Sequence, residues 1–406
     1  MLIVFLLVDL YVYQLVKHFT HQSEYNQVWR NIYWGFTFFY ISMFLFFQLG
    51  NPYIFSRKVY TILLGIFMVN FFTKFFVVIF LFIDDIVRGF KWLYYKGVSL
   101  NATSKPTEEL SISRSDFLVK TAVVAGSVPL VGMSYGIISG AYDYRIRHQK
   151  LVLPNLPKSF EGIKLAQLSD IHSGSFYNKT AVQGGVDMLL NEKPDFIFFT
   201  GDLVNNKASE LNEYYDVFKK IKAPLGVYSV LGNHDYGDYV MWESEEAKRK
   251  NLERLKQGHA ELGWNLMMNE HIPLVVNGDK IDIIGIENYG AKGRFPKYGK
   301  LDMAHAGSEA DVKLLLSHDP SHWDAQVNAQ YKDIDVMFSG HTHGFQFGIE
   351  NQFIKWSPVQ YMYKQWGGLY KEGNQQLYVN RGFGFLGFPG RIGMPPEITI
   401  FELVKG

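Results

Sequence analysis

The chain has 406 residues, a formal net charge of +1, 19% charged and 16% aromatic residues, and no cysteine. Near-neutral charge provides no global basic field for nucleic acid, and the missing thiols exclude disulfides and thiolate metal sites. The charged share falls below the globular norm of roughly 25%, and the deficit traces to the N-terminal third.

Four apolar runs follow one another in that third: residues 2–16, interrupted by Asp9; 33–49; 59–83, with Lys74 inside it; and 117–142, richer in small residues. Stretches of about 17–25 apolar residues cross a bilayer as helices, so 1–142 is expected to be a transmembrane region of about four helices. Lys17 and Arg30 sit in the first loop, and Arg88, Lys91, Lys96, Lys105 and Arg114 follow the third run. Only Arg57 and Lys58 mark the second loop. This bias puts the first and third loops in the cytoplasm and both termini outside. Ser113-Arg114-Ser115-Asp116, ahead of the fourth run, resembles a degenerate twin-arginine export signal without the arginine pair and points the same way.

Residues 143–158 read as a charged, proline-bearing linker, and 159–406 as a separate domain. There, short apolar runs at 163–168, 196–200, 227–231, 313–317 and 336–339 predict buried strands, and amphipathic stretches at 180–191, 210–221 and 243–262 predict helices between them. Asn277-Gly278 between 273–276 and 281–284 predicts a type I′ hairpin, and 377–404 reads as strand-rich. Alternating strands and helices with hairpins predict an α/β sandwich with mixed sheets.

Almost every polar signal falls just after a predicted strand: Asp170 and His172, Gly201-Asp202, Gly232-Asn233-His234-Asp235, Ser317-His318-Asp319 and Gly340-His341-Thr342-His343. Ligands of open α/β sheets bind beyond the carboxyl ends of strands, so five strand ends would deliver these side chains to one place. Carboxylate, imidazole and amide oxygen suit Mn, Fe, Zn or Mg. With one bridging carboxylate, seven such donors hold two ions and leave positions for water and substrate. The glycines before Asp202, Asn233 and His341 would allow sharp turns that aim the next side chain inward. Asp235 and Asp319 are expected to orient histidine ligands.

This ordered set resembles the calcineurin-like metallophosphoesterase superfamily over residues 160–404. The resemblance implies a four-layer α/β/β/α sandwich with a dinuclear centre of two divalent ions, Mn, Fe or Zn. It further implies that Asp170, His172 and His343 hold one metal, Asp202 bridges, and Asn233, His318 and His341 hold the other, with His234 near the leaving group as general acid or transition-state stabiliser. Asn380-Arg381-Gly382-Phe383-Gly384, Arg391 and Pro396-Glu397 look like a bacterial branch of membrane-associated phosphodiesterases similar to UDP-diacylglucosamine hydrolases. That implies a bacterial inner-membrane protein, and the charge bias of the loops puts its catalytic domain outside the cytoplasm.

The best-known phosphatases of the superfamily carry an Asp-Arg pair where this chain has Asn205-Asn206. Without that arginine the usual phosphate clamp is missing, and without that aspartate His234 lacks its orienting carboxylate. The pattern fits a diester or pyrophosphate better than a phosphoprotein, with a phosphomonoester as the further alternative and with Arg381 or Arg391 expected to bind the phosphoryl oxygens. The apolar segment 383–394 is read as either a buried loop or a lip for a lipid-linked or amphiphilic phosphoester. The rival reading is a membrane transporter or signalling protein whose metallophosphoesterase-like domain only regulates or binds metal.

Overall fold

The computed structural model describes residues 2–49, 57–100 and 116–406. Lys105, Arg114 and the export-like Ser113–Ser115 lie outside the described residues. The chain divides into two compact units, Met1–Tyr135 and Gly136–Gly406.

The first unit holds the apolar helices α1 (Leu2–Thr20), α2 (Asn26–Leu49), α3 (Arg57–Leu100) and most of α4 (Asp116–Ile138). All four are long and apolar enough to cross a membrane. The third run does not end at 83: α3 continues to Leu100 and carries Arg88, Lys91 and Lys96 on its last turns. Asp9 and Lys74 neither snorkel nor face lipid. They pair with each other in the interior, and the Asp9 carboxylate also accepts from Thr37 Oγ1 at 2.7 Å and Tyr33 Oη at 3.1 Å. Apolar surroundings make an unpaired charge expensive, so these two ionisable residues, one from α1 and one from α3, come together.

The second unit contains two mixed six-stranded sheets. The first has the order β1-β14-β2-β3-β4-β5. Its strands are β1 (Arg145–Leu153), β2 (Lys164–Leu168), β3 (Phe196–Phe199), β4 (Val227–Ser229), β5 (Asn265–Leu266) and β14 (Glu397–Lys405). The second has the order β12-β13-β9-β8-β7-β6. It is built from β6 (Glu270–Val276), β7 (Asp279–Gly285), β8 (Lys313–Leu316), β9 (Val336–Ser339), β12 (Gly368–Glu372) and β13 (Gln375–Val379). A small hairpin of β10 (Ile349–Glu350) and β11 (Lys355–Trp356) stands apart.

Strand periodicity explains the layers. Phe196 and Phe198 of β3 turn inward to meet Ile281, Ile283, Leu314, Leu316 and Phe338 of the other sheet. Ile197 and Phe199 turn the other way, against Val182, Val186 and Leu189 of the helix Lys179–Asn191 and Leu255 of the helix Glu245–Leu262. On the far side, Ile284, Leu315 and Met337 pack under Leu301, Trp323 and Val327. The result is helix, sheet, sheet, helix, as expected.

Two local expectations change. The supposed linker is strand β1, paired in parallel with β14 from Arg145–Glu397 to Leu153–Lys405. Its charged residues suit an edge position. The helix expected at 210–221 reduces to two short turns, Ala208–Leu211 and Tyr215–Phe218. Glu210 there folds back to accept from Asn205 N and Lys207 N. The hairpin turn is as read, with Asn277 at φ 50° and Gly278 at φ 87°.

One buried histidine makes the fold acid-sensitive. His259 sits against Phe199 and Trp264, its Nδ1 3.0 Å from Ser229 Oγ. Burial pushes its pKa from 6.5 down to about 3. The unfolded chain therefore binds a proton below pH 6.5 that the folded chain refuses, and stability falls from there toward pH 3. By pH 5 the loss is on the order of 2 kcal/mol. Thermal unfolding at pH 7 and pH 5 should show a smaller gap for His259→Gln than for the unaltered protein.

Candidate metal centre

The parallel strands β2, β3 and β4 of one sheet, and β8 and β9 of the other, each end in a loop that carries predicted donors. Backbone hydrogen bonds lock these loops together. Asp170 N donates to Gly201 O at 2.9 Å, His172 N to Asp202 O at 3.0 Å, and Gly340 N to His318 O at 2.9 Å. His341 N donates to Asp170 Oδ1 at 2.9 Å, and His234 N to Asp202 Oδ1 at 2.8 Å. Asp202 thus fixes the next loop through Oδ1 and keeps Oδ2 for the centre, while Asp170 receives His341 N on both of its oxygens.

The backbone bends sharply where the donors sit. Asp170 (φ 52°), His172 (49°), Asp202 (59°), His341 (71°) and His343 (51°) all occupy the left-handed region. Non-glycine residues there cost on the order of 1–3 kcal/mol each and persist where the surroundings enforce them, commonly at functional sites. Gly340 is glycine for a different reason than the expected turn: a Cβ would lie 1.9 Å from Ser169 Oγ and 2.1 Å from Asp170 Oδ2.

Two donor clusters result. Ligand atoms of Asp170, His172 and His343 lie within 4.8 Å of one another, as do those of Asp202, His318 and His341. Asn233 joins the second, its Oδ1 2.8 Å from His341 Nδ1. Asp202 Oδ2 stands between the clusters, 3.1 Å from His318 Nε2 and 3.5 Å from His172 Nε2.

This arrangement fits cations. His172 Nε2 and His343 Nε2 face each other at 3.0 Å inside the protein, two nitrogens that compete for one proton. His318 Nδ1 lies 2.7 Å from Thr200 O and donates to it, which turns the lone pair of Nε2 toward Asp202. His341 Nε2 meets Tyr363 Oη at 2.9 Å, which leaves Nδ1 facing the Asn233 oxygen, acceptor to acceptor. Lone pairs pointed at lone pairs are stable around a shared positive charge.

The electrostatics agree. Burial works to raise Asp170 and Asp202, yet both are held below the usual carboxylate range, Asp170 by His343 and His318, and Asp202 by His318 and His234. Burial drives His172 and His341 down, to the neutral form that ligates. His318 moves the other way: despite burial, Asp202 raises it to about 10. Without a metal, a proton on His318 occupies the place of positive charge between these carboxylates.

Asp235 plays a different part from the one expected. It touches no histidine ligand. Its carboxylate accepts from Asp202 N, Gly232 N and Leu203 N at 2.9 Å and Val204 N at 3.2 Å, clasping the loops after β3 and β4. Burial and the Asp202 charge push its pKa up to about 7, against the pull of those donors. Asp319 does lie near its expected target, with Oδ2 3.7 Å from His341 Nε2.

His234 rests 5.0 Å from the His172 ring, centroid to centroid. The orienting carboxylate that the Asn205 position lacks is replaced by backbone: His234 Nδ1 lies 2.8 Å from Asn205 O and donates to it. Tyr239 packs on the other side at 4.4 Å and accepts from Asn233 Nδ2 at 2.8 Å.

Arg381 and Arg391 are not at the mouth of the site. Arg381 is buried in ion pairs of 2.6 Å with Glu397 and Glu350. Arg391 is buried behind His343, donating to Gly384 O at 2.9 Å, Arg381 O at 2.8 Å and Met394 O at 3.1 Å. Their donors serve the fold, and neither is free to clamp a phosphoryl group. Phe383, Phe385 and Met394 are buried too, while Leu386 and Phe388 are half-buried, so most of the apolar side chains of segment 383–394 belong to the core.

Sequence reasoning missed the aromatic rim of Tyr239, Phe295 and Tyr363. Phe295 stands edge-on to His341 at 4.7 Å. No spacing rule marks these residues, since they come from three separate loops. The Tyr363 contact has a measurable consequence. Losing an outer partner of a metal-bound histidine typically weakens metal affinity by about 10–100-fold. Titration of metal into Tyr363→Phe should show that loss.

Residues 1–141 match the family described as "Probable Calcineurin-like phosphoesterase, transmembrane domain", and residues 163–345 match "Calcineurin-like phosphoesterase". The chain is 29% identical over 303 residues to the uncharacterized metallophosphoesterase YkuE of Bacillus subtilis, covering 72% of this chain and 98% of that protein. It is 30% identical over 308 residues to a transmembrane protein with metallophosphoesterase domain from Danio rerio, covering 74% of this chain and 66% of that protein.

Proposed function

We propose, for a chain that belongs to the calcineurin-like phosphoesterases with an N-terminal four-helix transmembrane domain, that it hydrolyses a phosphodiester or pyrophosphate with two divalent ions, Mn, Fe or Zn. The observation that carries this reading is the pair of donor clusters joined at Asp202. Ions held there supply an activated water and positive charge opposite the phosphoryl oxygens.

The protein's own groups do the rest. Asp170, His172 and His343 would hold one ion, Asn233, His318 and His341 the other, with Asp202 between them. The left-handed backbone at five of these residues keeps the donors in place before substrate arrives. Asp170 and Asp202 are the carboxylates of the two clusters, so two divalent ions leave the centre net positive and suited to an anionic ester. With Nδ1 donating to Asn205 O, His234 would turn Nε2 toward the leaving oxygen and, in its doubly protonated form, would give that oxygen the Nε2 proton. With Arg381 and Arg391 inside the fold, a cation better placed for substrate is Lys292, whose Nζ lies 5.3 Å over the Tyr363 ring. The membrane helices favour a lipid-linked or amphiphilic ester, and the basic residues on the last turns of α3 favour a catalytic domain outside the cytoplasm.

The test is hydrolysis of a chromogenic phosphodiester by the detergent-purified chain with added Mn²⁺. His234→Ala should lower turnover by about 10²–10⁴-fold while metal content is unchanged. Equal turnover in both proteins would remove His234 from the chemistry. No hydrolysis of diester, pyrophosphate or monoester by the metal-loaded protein would favour the regulatory alternative.

A further inference from the structure

The surface of the catalytic unit carries one segment whose polarity is reversed. In the β10–β11 hairpin the charged groups are tied back to the body of the unit, Lys355 while still exposed to solvent. Glu350 pairs with Arg147 and Arg381 at 2.6 Å each, and Lys355 Nζ donates to Gly367 O at 2.5 Å. The apolar residues point outward: Phe345, Phe347, Ile349 and Ile354 are about half exposed, and Phe353 at the tip is 84% exposed. The tip is held in shape from within, since Asn351 Oδ1 accepts from Phe353 N at 2.8 Å and Ile354 N at 2.9 Å. A contiguous apolar edge of this kind on a soluble face marks a contact with something apolar.

Neighbouring contacts say what covers it. Gly348 N donates to Ile392 O at 3.0 Å, and Ile392 N to Gln346 O at 2.8 Å, so the hairpin base is stitched to residues 390–392. In the next step Arg391 N donates to Gly136 O at 3.1 Å, and a Cβ on Gly390 would lie 2.8 Å from the Gly136 backbone. Tyr177 Oη also donates to Ile137 O. Gly136 and Ile137 are in the last turn of α4, the apolar helix from which the chain enters this unit. The hairpin base is therefore tied, through residues 390–392, to the last turn of α4, by which the chain enters this unit.

We propose that the hairpin is a membrane-contact element, with Phe353 and Ile354 seated in the headgroup and upper acyl region of the bilayer. Aromatic and aliphatic side chains on an uncharged tip are suited to that interface. Because His343 opens the turn that leads to Phe345 and Phe347, the element would hold one wall of the metal site at the lipid surface. Contact with the bilayer does not require that the site hydrolyse anything.

The chain has no cysteine, which permits single-site labelling of the full protein. An environment-sensitive fluorophore on Phe353→Cys is compared with one on Val275→Cys, an exposed site on β6. Both proteins are reconstituted into phosphatidylethanolamine/phosphatidylglycerol vesicles containing shallow nitroxide lipids. The label at 353 should be quenched about twofold or more over the label at 275, with blue-shifted emission, as for a group lodged in the acyl boundary. Equal quenching at the two sites would overturn the proposal. Blue-shifted emission at 353 without lipid quenching would also overturn it and assign the edge to a protein partner. Metal content on the same samples reports whether each labelled chain is folded.

Discussion

Replacing Asp202 by alanine is expected to release metal from both clusters and lower turnover by at least about a thousand-fold, on the order of 4 kcal/mol of transition-state stabilisation. The argument is geometric. Asp202 Oδ2 is the carboxylate oxygen near imidazoles of both clusters, at 3.1 Å from His318 and 3.5 Å from His172. Its other oxygen accepts from His234 N at 2.8 Å and so also fixes the residue assigned to the leaving group. Losing either of the flanking histidines removes one donor from one cluster, whereas losing Asp202 removes charge from both. Metal analysis and diester hydrolysis on Asp202→Ala, beside His341→Ala, check this. If Asp202→Ala keeps turnover within about tenfold of the parent protein, the joined-cluster account is wrong.

The largest effect on folding is expected from Asp235→Ala. Four buried N–H groups, those of Asp202, Leu203, Val204 and Gly232, donate to its carboxylate. Each orphaned buried donor costs about 1–3 kcal/mol, so the combined loss should be on the order of 4 kcal/mol or more even if water fills part of the gap. A large share of a domain's net stability is at stake. Thermal unfolding should report a marked drop, with the loop after β3 freed and metal affinity reduced. Lys250→Ala, on the exposed face of the helix Glu245–Leu262, should change neither. An unfolding midpoint for Asp235→Ala equal to that of Lys250→Ala would contradict the clasp.

How much of this was readable beforehand depends on whether the signal was local. The strands around Phe196–Phe199 and Val336–Ser339 announce themselves because a short apolar run stops at a glycine or a polar donor. The ligand positions follow, since a donor two to four residues past a parallel strand has few other places to point. Arg381 was misjudged because its partners, Glu350 and Glu397, come from distant segments that no spacing relates to it. The β1 strand was misjudged because Arg145, Arg147 and Lys150 make it look solvated, and only its pairing with β14 reveals a ladder. The segment 383–394 fits either a buried loop or a lip by its sequence, and its glycines at positive φ, Gly387 and Gly393, let it fold back so that Phe385 and Met394 are buried. The replacement of a missing aspartate by the Asn205 carbonyl was not readable at all, because every residue has a carbonyl and only the fold selects one.

The reach of the rim aromatics belongs to the same class. Tyr363 stabilises His341 from a loop twenty-two positions away in the chain. Lys74 and Asp9 were visible as charges in apolar runs, but only their meeting across α1 and α3 explains how both are tolerated.

The central claim is that one buried site holds two ions together. Metal analysis of the full chain, purified in detergent after growth with Mn²⁺, Fe²⁺ and Zn²⁺ available and freed of loosely bound ions, tests it most directly. The account predicts about two divalent ions per chain, falling toward none in Asp202→Ala. A chain that binds no ion, or that keeps both ions when Asp202 is gone, would contradict it.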